Sequence, residues 1–330
     1  MIAVARPSDA MRSNAALQTM RFASADIASR YPLPIDDQLS WSSSSDGAGN
    51  LHRVELPIPE LPKGYILVPS FSMIGSGGDY GFQFTLATPK RTWALAPIGT
   101  DTLRAENPGK RLATHIDYFQ ASRATGDLRL TLDVVSARPP ERYLLTVAAR
   151  PVEMPPQTGE RTSRRLAVAP LSQLTAPRNI RSHICSPTCV TMVLRHHGVT
   201  THIGEIAPLC YHARCGMFGV WPAALHAASR FGAIGAVETF SSTDVAAGII
   251  DQDIPVIASI RHAAGELAGA CNDRTSGHLV VCTGWTADQV YVNDSRARDP
   301  RDVCTSFARA EFARAWLGHR GASYVILPPQ

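Results

Sequence analysis

The hydrophobic pattern of the chain changes around residues 151–165, and this change limits the possible folds more than any other feature. Before it, short runs rich in aromatic and β-branched residues recur between Gly, Pro, Asn and Asp, which is typical of strands joined by turns. The segment itself is rich in proline and charge and has no hydrophobic period, so it is predicted to be a linker. After it, helical and strand patterns are mixed. A chain of 330 residues is long enough for two such domains.

The part of the chain before the linker is predicted to be a β domain. Apolar side chains alternate with others at Phe82, Phe84 and Leu86. This period of two places alternate side chains on one face of a strand. We therefore expect an irregular segment over residues 1–50, followed by an all-β, sandwich-like domain over residues 51–150.

The part after the linker, residues 166–330, is predicted to be an α+β domain. Its first helix follows from the sequence CSPTCVTMVLRHHG. Ser186 is expected to cap this helix, Pro187 to be its first residue and Gly198 to end it. Two further helices and several strands follow, and a late helix lies between the last two strands. Helices gathered ahead of a sheet favour an α+β arrangement.

Composition and charge exclude several classes of protein. Hydrophobic residues make up 45% of the chain and charged residues 18%, a balance typical of globular proteins. The net charge of +4 is small and the arginines are scattered along the sequence, so nucleic-acid binding is not expected.

No apolar stretch approaches the length of a membrane span, and the N-terminus lacks the pattern of a signal peptide. All seven cysteines lie in the second half, and their number is odd. We therefore expect reduced thiols in a cytoplasmic protein without membrane contact.

Three residues of the second half form a candidate catalytic set. Cys185 lies at the predicted start of the first helix, where the helix dipole and unpaired N–H groups favour a thiolate. His278 begins a predicted strand, and the next strand ends in Asp294, sixteen residues later. Because a short turn joins these two strands, His278 and Asp294 are expected near the same end of the pair. A thiol, an imidazole and a carboxylate that orients the imidazole are the groups of a cysteine hydrolase.

These motifs resemble those of the bacterial double-glycine (bacteriocin-processing) cysteine peptidase family and its stand-alone relatives. The resemblance covers roughly residues 165–328 and rests on Cys-Ser-Pro-Thr at the helix start, Gly-His-Leu-Val-Val and Val-Tyr-Val-Asn-Asp. It implies a papain-like cysteine peptidase fold for this half. It also implies a catalytic triad, which corresponds residue by residue to Cys185, His278 and Asp294.

The resemblance also suggests an oxyanion donor and shows two departures. In the family, a glutamine upstream of the cysteine usually binds the oxyanion together with the backbone N–H of the cysteine. Gln173 resembles this glutamine if the loop between it and Cys185 is longer than is usual in the family. The usual spacing to the cysteine would instead select Asn179. We prefer Gln173. Ser186 follows the nucleophile where the family commonly has Gly, and Ser295 follows the aspartate where it commonly has Pro. Neither departure removes a reacting group, but both put the substrate preference in question.

A second group, Cys210 and Cys215 with His212 between them, has a spacing that zinc tolerates. No further pair of Cys or His residues lies at the spacing of a zinc site. The sequence therefore predicts no metal and no other cofactor, and it favours free thiols or a disulfide at this position.

The motifs together predict a cysteine peptidase or amidohydrolase that acts on a peptide or protein substrate through an acyl-enzyme. Two alternatives remain open. The same triad serves an acyltransferase or transamidase when an amine or thiol replaces water. The papain-like half could instead be a non-catalytic scaffold for recognition. The β domain has no residue that suggests chemistry, and it is expected to bind the substrate or a partner protein.

Overall fold

The computed structural model of the chain divides into two compact units, Met1–Val152 and Glu153–Gln330. In the part of the chain that the structure describes, no helix combines the length and the apolar character needed to cross a membrane. The described residues are 18–46, 49–75, 79–103 and 112–330.

The described residues of the first unit form two antiparallel sheets and one short helix. The elements in chain order are β1 (Gln18–Ala23), α1 (Ala25–Ala28), β2 (Ser42–Asp46), β3 (Gly49–Ile58), β4 (Tyr65–Ile74), β5 (Gly81–Thr88), β6 (Arg91–Ala94), β7 (Leu112–Thr114), β8 (Phe119–Ala121), β9 (Leu128–Val135) and β10 (Arg142–Pro151). One sheet has the strand order β1-β10-β4-β8-β7, and the other has the order β2-β3-β9-β5-β6.

The alternating pattern of β5 places its large side chains in the core of the first unit. Phe82, Phe84 and Leu86 are all buried. The ring of Phe82 meets the ring of Phe71, on β4 of the other sheet, at a centroid distance of 5.4 Å. The two sheets therefore pack against each other through aromatic side chains, which bury more apolar surface than other residues.

Part of the segment predicted to be irregular, residues 1–50, forms strands. Its residues 1–17 and 47–48 lie outside the described residues. Strand β1 pairs with β10 over all six of its residues, and β2 pairs with β3. The sequence Ser-Ser-Ser-Ser-Asp of β2 has the composition of a loop. This segment forms a strand because the edge of β3 provides unpaired N–H and C=O groups for it to bond. The local composition does not reveal this partner.

The second unit combines helices with one antiparallel sheet, which confirms the predicted mixture of helix and sheet. The sheet has the order β11-β16-β12-β13-β14-β15. The helices and strands in chain order are α2 (Cys185–His196), α3 (Ile203–Cys210), α4 (Trp221–Ser229), β11 (Gly235–Thr239), α5 (Thr243–Ile250), β12 (Val256–His262), β13 (Thr275–Trp285), β14 (Gln289–Asn293), β15 (Cys304–Ala308), α6 (Arg309–Leu317) and β16 (Ala322–Ile326).

Neighbouring residues of β16 show which helix covers each face of this sheet. The Tyr324 hydroxyl lies 3.1 Å from Ser186 Oγ on α2. Ser323 Oγ instead accepts a hydrogen bond of 3.1 Å from Trp316 Nε1 on α6. Because consecutive side chains of a strand point to opposite faces, α2 and α6 lie on opposite sides of the sheet. Cys185, the first residue of α2, is therefore on the face away from α6.

The segment predicted to be a linker, residues 151–165, is held by a buried arginine of α6. Arg309 donates from Nε to the carbonyl of Thr158 and from Nη1 to the carbonyl of Arg161, each at 2.9 Å. Its Nη2 donates to the Thr243 hydroxyl at the start of α5 at 2.7 Å. Since Arg309 is only 3% exposed, water cannot replace these bonds. One guanidinium thus ties the segment to two helices of the second unit.

Replacing Arg309 by Met is expected to lower the free energy of unfolding of the second unit by about 2–4 kcal/mol. Methionine fills the space of the aliphatic stem but removes the donors to the carbonyls of Arg161 and Thr286 and the ion pair with Asp244. Urea denaturation followed by tryptophan fluorescence measures the effect, because the Arg309 guanidinium lies 5.5 Å from the ring of Trp285. The control is Arg314→Met, an exposed residue of the same helix, for which we expect a change below about 0.5 kcal/mol. An equal loss in both variants would show that Arg309 has no special structural role.

Candidate active site

The start of α2 differs from the prediction in one respect. The helix begins at Cys185, with Ile184 as the N-cap residue, so the prediction that Ser186 caps the helix is wrong. The Ser186 side chain is fully buried and bonds to the sheet through Tyr324, which leaves it unable to cap. Pro187 becomes the third helical residue, where a missing N–H still costs no helical hydrogen bond. Gly198, at φ 82°, follows the helix in the left-handed conformation that favours glycine, as predicted.

The sheet brings His278 and Asp294 together. Strands β13 and β14 pair in antiparallel fashion, and Asp294 directly follows the last residue of β14. His278 Nε2 lies 2.7 Å from Asp294 Oδ1, and both side chains are buried. The backbone N–H of Arg296 donates to the same Oδ1 at 2.9 Å. The carboxylate is therefore fixed from two directions, and it in turn fixes the plane of the imidazole.

Cys185 is the second interaction partner of this imidazole, through a side-chain hydrogen bond and through charge. Burial by itself raises the pKa of the Cys185 thiol. The hydrogen bond and charge of His278, with backbone hydrogen bonds from Leu279 and Ser186, outweigh burial and hold this pKa below its ordinary value. The sulfur is thus a thiolate over a wider pH range than a free cysteine.

The two partners of Cys185 are shifted in the complementary direction. Burial alone would lower the pKa of His278, but its bonds to Asp294 and Cys185 and the charges of both raise it to about 10. Burial would raise the pKa of Asp294, but the hydrogen bond and charge of His278 lower it below its usual value. The shifts therefore favour the thiolate of Cys185, the imidazolium of His278 and the carboxylate of Asp294.

The chemistry of the thiol on the next turn of α2 is different. Cys189 is buried, and its Sγ donates to the carbonyl of Leu279 at 3.3 Å. Burial, followed by the negative charges of Cys185 and Asp294, raises the pKa of Cys189 well above its ordinary value. The surroundings of Cys189 therefore favour its protonated form, whereas those of Cys185, four residues earlier on the same helix, favour the thiolate. The difference lies in the position of His278.

Of the two candidate oxyanion donors, the structure buries Gln173 and exposes Asn179. Gln173 Nε2 donates to the carbonyl of Arg181 at 2.7 Å, which uses one of its two N–H bonds. Its Oε1 accepts from Ser295 Oγ at 2.8 Å, and its backbone N–H donates to the carbonyl of Ser295 at 2.9 Å. The Gln173 amide is therefore locked beside the residue that follows Asp294.

A second potential oxyanion donor is the backbone N–H of Cys185. As the first residue of α2, it has no carbonyl of a preceding helical turn to bond. In the described part of the chain this N–H has no hydrogen-bond acceptor. Together with the remaining N–H of Gln173, it could bind the negative oxygen of a tetrahedral intermediate.

The residues considered for a metal do not form such a site. The backbone N–H of Cys215 donates to Nδ1 of His212 at 3.3 Å, so this nitrogen is engaged within its own turn. Cys210 is buried, and burial raises the pKa of its thiol. Across the described ranges, no group of His, Cys, Asp or Glu side chains has an arrangement that could hold a metal ion. All seven cysteines are free thiols.

Sequence reasoning did not assign a role to Ser295 or Arg296. Ser295 was noted as a departure from the family pattern, but it holds the carbonyl end of the Gln173 amide. Arg296 Nη1 donates to the carbonyl of Ser182 at 3.0 Å and so joins the loop after Asp294 to the loop before Cys185. No pattern in the sequence could have predicted these contacts, because the partners lie more than a hundred residues apart.

Comparisons with known proteins found a family model and a solved structure that are similar to part of the chain. Residues 165–324 match the model of the Peptidase_C39 like family. A crystal structure of a C39-like protein from Bacillus anthracis is 15% identical and covers 51% of this chain and 98% of its own, with a TM-score of 0.38. No curated protein sequence matches the chain. The family match confirms the resemblance found in the motifs: residues 165–324 of the chain are similar to the Peptidase_C39 like family.

Proposed function

We propose that the second unit is a papain-like α+β cysteine peptidase domain with the catalytic triad Cys185, His278 and Asp294. The observation that supports this most is that one buried imidazole is bonded to a thiol on one side and a carboxylate on the other. A buried histidine needs only one partner for stability, whereas an imidazole between thiol and carboxylate has the geometry of nucleophilic catalysis. The family match to a group of peptidases is in accord with a peptidase-type function.

The proposed reaction has two stages. The Cys185 thiolate attacks the carbonyl carbon of a peptide or amide bond, and the electrons of the carbonyl double bond move to the oxygen. As the C–N bond breaks, the imidazolium of His278 gives its proton to the leaving amine. Water then attacks the thioester, transfers a proton to His278 and releases the acid, which restores the thiolate and imidazolium. Asp294 keeps the imidazole oriented and stabilises its charge in both stages.

We further propose that Gln173 and the backbone N–H of Cys185 bind the oxyanion. The burial of Gln173, its unused N–H and its contact with Ser295 favour it over the exposed Asn179. Preorganised donors of this kind typically contribute about 3–4 kcal/mol to transition-state stabilisation. We propose that the first unit, with its two packed sheets, is a sandwich-like module that binds the substrate or a partner protein.

Alkylation tests the proposed nucleophile. At pH 6 and low excess, iodoacetamide is expected to label Cys185 faster than Cys271, because partial desolvation and the charge of Asp294 raise the pKa of Cys271 to about 12. Because the pKa of Cys185 is lowered, its labelling rate should rise with pH and reach its plateau at a lower pH than the labelling rate of an ordinary thiol. Peptide mapping by mass spectrometry gives the rate at each cysteine. Faster labelling of another cysteine at pH 6 would contradict the assignment.

A further inference from the structure

Two loops beside the candidate active site carry arginines. Residues 172–184, which lead into Cys185, contain Arg178 and Arg181 but no Asp or Glu. Residues 295–298, which follow Asp294, contain Arg296 and Arg298 and likewise no Asp or Glu. The two pairs of arginines are separated by more than a hundred residues of chain, so together they do not stand out as a basic run in the sequence.

Hydrogen bonds hold the two loops side by side. Ser172 Oγ donates to the carbonyl of Ala297 at 2.8 Å. The backbone N–H of Gln173 donates to the carbonyl of Ser295 at 2.9 Å. At the other end of the first loop, Arg296 donates to the carbonyl of Ser182 at 3.0 Å. The tertiary structure therefore places Arg178, Arg181, Arg296 and Arg298 along one border of the candidate active site, which we call the basic rim.

The charge of the basic rim is not neutralised by the protein. In the part of the chain that the structure describes, no carboxylate oxygen lies within 4.0 Å of any of its four guanidinium groups. Two neighbouring carboxylates are engaged elsewhere, since Asp294 bonds to His278 at 2.7 Å and Asp299 to Arg301 at 2.6 Å. The rim therefore creates a positive potential next to the nucleophile.

Two surface arginines that precede these loops in the sequence are paired instead. Arg161 lies 3.0 Å from a carboxylate oxygen of Asp251, and Arg164 lies 3.1 Å from one of Asp253. Like charges held close together repel each other and lower stability unless an anion joins them. At the rim, four arginines without an ion pair lie on two adjoining loops.

We propose that the basic rim binds Asp and Glu side chains of a polypeptide substrate near the bond that is cleaved. Guanidinium groups bind carboxylates with two parallel hydrogen bonds, which gives both affinity and orientation. Single-stranded nucleic acids are a poorer fit, because their sites combine basic groups with aromatic platforms, and residues 172–184 and 295–298 contain no Phe, Tyr or Trp. This inference rests on the proposed peptidase function and adds an acidic substrate class to it.

Cleavage of a proteome-derived peptide library tests the specificity. Products of the wild-type protein, identified by mass spectrometry, are expected to be enriched in Asp and Glu on one side of the cut. For a matched peptide pair with Glu or Gln at that position, we expect kcat/KM to be about three- to tenfold higher for Glu. In the double variant Arg178→Gln/Arg298→Gln this preference should fall to about one.

The matched control is Arg91→Gln/Arg314→Gln, which removes the same charge from exposed positions on the first unit and on α6. This variant should keep the wild-type preference for Glu. Cleavage without any acidic preference, or an equal loss of preference in the control, would overturn the inference while leaving the peptidase function intact.

A binding experiment separates the inference from the proposed function. Cys185→Ala protein is titrated with a fluorescent Glu-rich peptide and with its Gln counterpart, and anisotropy is followed at two salt concentrations. The Glu-rich peptide should bind several-fold more tightly, and this difference should shrink with salt and with the double rim variant. If the wild-type protein cleaves no peptide but the Glu-rich peptide still binds more tightly, the proposed peptidase function is wrong and the basic rim remains a binding site for acidic side chains. No Glu preference, or tighter binding of a single-stranded RNA than of the Glu-rich peptide, would overturn the rim site itself.

Discussion

Replacing Cys185 by Ala is expected to lower kcat/KM for any peptide that the protein cleaves by about 10⁴-fold or more. The substitution removes the sulfur that is bonded to His278 and leaves the imidazole with no nucleophile to activate. Initial rates with internally quenched peptides measure the loss. Intact-protein mass spectrometry adds an independent readout, because only a protein with its nucleophile can form a covalent acyl adduct with an activated ester.

The control for this variant is Cys304→Ala, which removes an exposed thiol from β15. We expect its activity to stay within about twofold of wild type. If Cys185→Ala retained more than a few per cent of the wild-type rate, the nucleophile would have to be another residue. The non-catalytic scaffold would be favoured by a different result. In that case the wild-type protein binds peptides but never cleaves them, and the Cys185→Ala variant binds them equally well.

The acceptor of the acyl group is a separate question, since the acyl-enzyme is common to a hydrolase and an acyltransferase. Reactions with and without an added primary amine distinguish the two. A peptidase gives the free acid in both cases. A dominant amide product at low amine concentration would indicate the acyltransferase or transamidase alternative.

Replacing Asp294 by Asn is expected to lower kcat/KM by about 10²–10⁴-fold. The neutral amide no longer stabilises the imidazolium of His278. Its NH₂ group can also donate a hydrogen bond to Nε2, which selects the imidazole tautomer that cannot accept the thiol proton. With less positive charge on His278, the pKa of Cys185 should rise towards its ordinary value. The pH profile of iodoacetamide labelling at Cys185 should therefore shift to higher pH, a change that a purely structural role of Asp294 would not produce.

The matched control is Asp288→Asn, an exposed aspartate in the turn between β13 and β14. It should leave both the rate and the labelling profile unchanged. Thermal denaturation of each variant separates loss of function from loss of folding. An Asp294→Asn protein that is folded, and whose labelling profile matches wild type, would show that the carboxylate does not control the thiol.

The local sequence was sufficient for those parts of the fold that depend on neighbouring residues. The period of two at Phe82, Phe84 and Leu86 predicted a strand with one buried face, which the structure contains. The start of α2 near Cys185 was also predictable, because a helix start depends on a few adjacent residues. The choice of Ser186 as the cap was wrong, since the partner that claims its hydroxyl, Tyr324, is far along the chain.

The sequence by itself determined the chemistry available to this protein: a cysteine at a helix start, a histidine at a strand start and an aspartate at the end of the next strand. Their closeness was predictable because one short turn joins β13 and β14. Only the tertiary structure decided the surroundings of these groups. It bonded His278 to both partners, placed Ser295 against Gln173 and gathered four scattered arginines at one border. Such contacts join segments far apart in sequence, and they form only when burial of the core brings those segments together.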